Sequence, residues 1–120
     1  MGEQFDAATR SSLADAEEID LKPAGTSRAV TIWIVRAGED IYVRSFRGAD
    51  GRWFQSFRAN PRASVMYGGG DLEVRGEPVS DEDINRAIDA AYLEKYRTSQ
   101  YAGSMVTPEV AATTMRLLPA

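Results

Sequence analysis

A chain of 120 residues with a formal net charge of −4 and a pI near 4.8 has no basic face for neutralising a nucleic-acid backbone. With 43% apolar and 27% charged residues it is too apolar and too weakly charged for a disordered chain, and one folded domain over residues 1–120 is expected. It holds neither cysteine nor histidine, which excludes disulfides, thiolate chemistry, Ser-His and Cys-His nucleophiles, imidazole-ligated haem and the usual zinc sites. No metal site is expected, and any catalysis falls to a bound cofactor or to Tyr, Asp, Glu, Lys and Arg.

No apolar run approaches the roughly 20 residues of a membrane span. The start Met1-Gly2-Glu3-Gln4-Phe5-Asp6 lacks the basic and then apolar order of a signal peptide, so a cytoplasmic protein is expected. Phe5, Leu13, Ala16 and Ile19 recur with polar residues between, which predicts an amphipathic helix over about residues 3–17. Glu18 to Lys22 alternates like a half-buried strand, and Pro23 with Gly25 marks a turn.

Ala29 to Arg36 is β-branched and apolar on both faces, predicting one strand covered on each side. Gly38-Glu39-Asp40 connects it as a hairpin to Ile41–Phe46, whose alternation places Ile41, Val43 and Ser45 on one face and Tyr42, Arg44 and Phe46 on the other. A glycine-bearing loop over 47–52 leads to a short aromatic helix from Trp53 to Ala59, ended by Asn60-Pro61. Ala63–Tyr67 and Leu72–Glu77 form a second hairpin about Gly68-Gly69-Gly70-Asp71. Ser80 before Asp81-Glu82-Asp83 predicts the start of a helix whose face carries Ile84, Ile88, Tyr92 and Tyr96, and Ala112–Leu118 reads as a last strand.

Arg44-Ser45-Phe46-Arg47-Gly48 brings two guanidinium groups, a hydroxyl and a glycine turn within five residues, with Arg28 at the mouth of the preceding strand. Guanidinium forks match phosphate oxygens, and glycine lets backbone N–H groups approach an anion. On composition alone such arginines are as readily a solvated rim. Trp33 and Trp53 fit either core packing or the wall of a ring-binding groove, and Tyr92, Tyr96 and Tyr101 fit amphipathic packing as well as a pocket roof. Asp81, Glu82 and Asp83 are helix-start charge.

The order strand, hairpin, strand ending in Arg-Ser-aromatic-Arg-Gly, aromatic helix, then Asn60-Pro61-Arg62-Ala63 resembles the pyridoxamine-phosphate-oxidase-like FMN-binding split barrels. The run Trp53-Phe54-Gln55-Ser56-Phe57-Arg58-Ala59-Asn60-Pro61 is similar to the corresponding helix of the deazaflavin-dependent nitroreductases, a branch of that group. The resemblance covers about residues 18–79 and the final strand. It implies an α+β, mainly β fold: a small antiparallel split β-barrel with an N-terminal helix and a helix before the last strand.

The same resemblance implies a flavoprotein site in which Arg44, Ser45 and Arg47 face the cofactor phosphate, Arg28 reaches it, Trp53 flanks it, and Thr31, Ile32 and Trp33 line the ring of FMN or a deazaflavin. Tyr92, Tyr96 and Tyr101 would roof a substrate pocket beside that ring. The expected activity is hydride transfer to a small organic acceptor by a homodimeric oxidoreductase. The alternative is a cofactor-free barrel that binds, isomerises or cyclises a hydrophobic metabolite, a non-redox enzyme on the same fold. A non-catalytic dimeric binding or regulatory module is the third reading. No nucleic-acid or membrane partner is expected.

Overall fold

The β-branched and aromatic runs build seven strands, and the computed structural model, which describes residues 4–120, joins them into one antiparallel sheet. In chain order they are β1 (Ile19–Pro23), β2 (Val30–Ile32), β3 (Val35–Ala37), β4 (Asp40–Val43), β5 (Arg62–Tyr67), β6 (Gly70–Pro78) and β7 (Met115–Pro119). Across the sheet the order is β2-β1-β5-β6-β7-β4-β3. The edge strands β2 and β3 are separated only by Trp33 and Ile34. Because an extended chain spans at most about 3.3–3.6 Å per residue, the sheet has to curl until its edges meet there. The fold is therefore mainly β, a curled half-barrel.

The strand expected to run unbroken from Ala29 to Arg36 is thus two strands with a bend at Trp33-Ile34. Ile34 points into the barrel with Ile41 and Val43, while Val35 packs with Tyr42 on the outside. The expected burial on both sides holds for Ile34 and Val35, but Val30 is 36% exposed and Thr31 is exposed. The alternation read along Ile41–Phe46 is kept: Ile41 and Val43 face the interior, and Tyr42 faces outward. β5 and β6 meet in register, Val65 opposite Leu72 and Tyr67 opposite Gly70, leaving Gly68-Gly69 as the turn.

Among the described residues four α-helices cover the sheet: α1 (Ala7–Asp15), α2 (Arg52–Ala59), α3 (Glu82–Lys95) and α4 (Pro108–Ala111). The expected start of the first helix at residue 3 lies outside the described residues; α1 begins after Asp6, whose carboxylate accepts from the Thr9 N–H at 2.7 Å. Asp81, not Ser80, caps α3, accepting from the Ile84 N–H at 2.9 Å. The expected last strand starts three residues late, because Thr107 caps α4 and Pro108 sits in its first turn. Leu13, Phe54 and Phe57 from α1 and α2 fill the barrel core; Ile88 and Tyr92 from α3 and Tyr96 at its C-terminal cap form a second core with Val35, Tyr42, Met105 and Val110. No helix among the described residues is long and apolar enough to cross a membrane.

The end of α3 fastens α1 to the bend. Lys95 Nζ donates to the carbonyls of Ala14 (2.9 Å), Ala16 (2.6 Å) and Ile34 (2.6 Å), and the Tyr96 hydroxyl accepts from the Ile34 N–H at 3.1 Å while lying 2.6 Å from the Glu17 carbonyl. Burial pushes the Lys95 ammonium down to about 8 against the attraction of Asp15 and Glu17. Between about 8 and 10.5 the unfolded chain then holds a proton that the folded chain has released, so this group makes stability rise with pH. The rise is opposed from about pH 10, because burial pushes the Tyr92 phenol upward and the Tyr96 phenol up to about 12. Denaturation midpoints followed from about pH 8 to pH 10 should climb relative to those of Lys95→Met; a constant difference would remove Lys95 as the source.

Candidate functional site

The bend between β2 and β3 places Thr31, Ile32 and Trp33 along the wall of a cavity of about 420 Å³, closed by Arg44, Phe46, Tyr101 and Met105. Trp33 is held by a parallel stack on Tyr96, ring centroids 3.9 Å apart and planes within 3°. Phe46 and Tyr101, 54% and 53% exposed, meet edge to face at 6.0 Å. A ring-shaped apolar ligand would find aromatic walls here.

Thr31 also borders a second cavity of about 700 Å³, more polar than the first, lined by Thr26, Ser27, Arg28, Arg52, Trp53 and Ser56 among others. Arg52 opens α2, and Gly51 caps that helix without a side-chain bond, so the dipole of α2 and its first N–H groups add to the positive field of the two arginines. Ser45 is buried beside this helix start, its Oγ without a hydrogen-bond partner and pressed against Gly51, where a Cβ would collide with it. Two exposed guanidinium groups and an uncapped helix start suit an oxyanion such as a phosphate, whereas Ser45, fully buried beside that helix start, lines neither cavity.

The other expected site residues fall differently. Arg44 is fully buried, and its guanidinium donates from Nε to Thr114 Oγ1 (2.8 Å), from Nη1 to Asp89 Oδ1 (2.6 Å) and the Met105 carbonyl (2.9 Å), and from Nη2 to the Asn85 carbonyl (3.2 Å) and Oδ1 (2.9 Å). All five N–H groups are taken, so Arg44 borders the aromatic cavity without a donor for a ligand. Arg47 is exposed at the start of a 3₁₀ turn (Gly48–Asp50), outside the lining of both cavities. Of the three tyrosines Tyr101 lines the aromatic cavity, and Tyr92 and Tyr96 line neither cavity; Tyr92 is fully buried with the Arg44 guanidinium 5.5 Å from its ring centre, and Tyr96 lies beneath Trp33.

Arg52, Ser56, Phe46 and Met105 line the cavities and were not singled out from the sequence. Arg52 and Ser56 stand four apart on α2, hence on one helical face. The aromatic pattern by itself starts the helix at Trp53, one residue late, which leaves Arg52 in the loop.

A family model described as an uncharacterized protein conserved in bacteria, DUF2255, matches residues 10–117. The chain belongs to this family. Among curated proteins none matches the sequence. Solved structures do match: HutZ, the heme storage protein of Vibrio cholerae, is 14% identical over 98% of this chain and 91% of its own, with a TM-score of 0.69. A provisionally assigned pyridoxamine 5′-phosphate oxidase from Listeria innocua is 15% identical over 94% and 90%, with a TM-score of 0.62. An FAD-binding protein from Mesorhizobium loti is 20% identical over 95% and 88%, with a TM-score of 0.59. This DUF2255 member accordingly shares the fold of these structures, the split barrel that the motif order implied.

Proposed function

We propose that the protein is a small flavin-type oxidoreductase that holds FMN or a deazaflavin along β2, with hydride passing to a small organic acceptor. The observation that carries this is the pairing of an aromatic cavity with an arginine-lined polar one across the single residue Thr31. Thr31, Ile32 and Trp33 would line the ring, and Arg28 and Arg52 would hold the phosphate, with the start of α2 beside it. When bound, the cofactor supplies the hydride chemistry, which no amino-acid side chain supplies. The protein's own part is to orient the ring between Trp33 and the Phe46–Tyr101 pair and to keep water from it. A second copy covers the open edge of β2, where Val30, Phe46 and Tyr101 leave apolar surface exposed.

The test is a titration of the purified protein with FMN and with a deazaflavin, read by visible absorbance and flavin fluorescence, with sedimentation to give the oligomeric state. Arg28→Ala and Arg52→Ala should each weaken binding by about 1.5–3 kcal/mol, the range for hydrogen bonds to charged groups. Arg47→Ala, outside both cavities, should leave it unchanged. A protein that binds neither cofactor would sink this reading and favour the cofactor-free one, in which the aromatic cavity takes a hydrophobic metabolite.

A further inference from the structure

We propose that Arg44 is the positioning residue of the aromatic cavity: it holds the Tyr101 and Met105 wall against the sheet without itself binding the ligand. The wall belongs to a 3₁₀ segment, Ala102–Val106, that starts at Tyr101 with no side-chain cap. A helix of five residues has too few internal bonds to stand alone, so its place is set by what it is attached to. Ala102 and Met105 pack on α3, and the Met105 carbonyl receives Arg44 Nη1 at 2.9 Å.

The remaining bonds of the same guanidinium go to parts of the frame that are themselves fixed. Asn85 and Asp89 stand one turn apart on the 14-residue α3, and Thr114 precedes β7 and lies 2.8 Å from Asn85 Oδ1. The fork of Arg44 therefore spans α3, the start of β7 and the cavity wall from one planar group, a geometry that one ammonium nitrogen cannot copy. Asp89, whose side chain is 33% exposed, neutralises the charge at 2.6 Å. A neutralised guanidinium with no free N–H offers a ligand in this cavity neither a donor nor an unpaired charge. The inference takes from the function proposed above only that a ring occupies the cavity.

Arg44→Lys in the full-length chain is the test, since it keeps a cation beside Asp89 and loses the fork. Hydrogen exchange followed by mass spectrometry should find residues 101–106 opening about tenfold faster, with β5 and β6 unchanged. Trp33, read in a Trp53→Phe background, should become more accessible to acrylamide, and FMN affinity, where the parent binds FMN, should fall in parallel. Unchanged exchange at 101–106, or faster exchange spread evenly over the sheet, would overturn the positioning role. If Arg44→Lys does not fold, the paired change Arg44→Gln with Asp89→Asn, which removes the fork and both charges together, is read by the same exchange measurement against the same outcomes. A parent protein that binds no flavin would fail the functional proposal, while the exchange pattern would still decide this one.

Discussion

Replacing Arg44 by methionine is expected to lower stability by about 3–5 kcal/mol, the cost of removing one partner from a buried ion pair. Methionine keeps apolar bulk but removes five donors, leaving the Met105 carbonyl, the Asn85 acceptors and Thr114 Oγ1 without that partner and Asp89 without its cation. Asp89 is partly exposed and regains some hydration, which argues for the lower part of the range. For a protein whose whole stability is about 5–15 kcal/mol, the loss is large. Urea unfolding monitored by tryptophan fluorescence measures it, and a loss below about 1 kcal/mol would show that the network is dispensable.

The second large effect is expected where β6 passes under α2. Gly76 pairs with Leu117 of β7, and a Cβ on it would stand 2.5 Å from Phe57 Cζ and 2.9 Å from Met115 Cε. Phe57 is fully buried and lies on the bare backbone that glycine leaves. Phe57→Ala should cost about 3–5 kcal/mol through the cavity it opens. Gly76→Ala should cost about 1–3 kcal/mol through overpacking. Because both changes act on one contact, the combination of Gly76→Ala with Phe57→Leu should cost less than the sum of its single changes by about 0.5–3 kcal/mol. Strict additivity in a double-mutant cycle would show that the ring and the glycine do not constrain each other.

Much of the fold was legible along the chain. Both hairpins, the aromatic helix and α3 follow from alternation, glycine turns and helical period, all of which act over a few residues. The bend at Trp33-Ile34 was not legible, because a run apolar on both faces looks the same straight or bent, and only closure of the sheet demands the break. The segments Ala102–Val106 and Pro108–Ala111 are too short to show a period, although Thr107-Pro108 is a readable helix start.

At the candidate site the residues in sequence order were sufficient for one part and misleading for another. Thr31, Ile32 and Trp33 line a cavity together because neighbours on a strand edge stay neighbours in the fold. Tyr92 and Tyr96 share a helical face as their spacing requires, but the face on which they lie packs against β3 and β4, so the spacing that grouped them also turned them inward. Arg44 looked like a phosphate ligand because its sequence neighbours are a serine, a second arginine and a glycine. Its partners arrive from 41 to 70 residues away.

By itself the sequence determined the absence of Cys and His chemistry, the order of hairpins and helices, and the motif order that marks the split barrel, since each rests on composition or on contacts between near neighbours. Only the tertiary structure decided which arginines meet solvent. Arg44 was drawn into the interior by acceptors on α3, before β7 and in the 3₁₀ segment, and Arg28 and Arg52 were left exposed in the lining of the polar cavity. An arginine next to a cavity is a ligand donor only if the fold has not already used its N–H groups, and that depends on long-range contacts that local sequence does not encode.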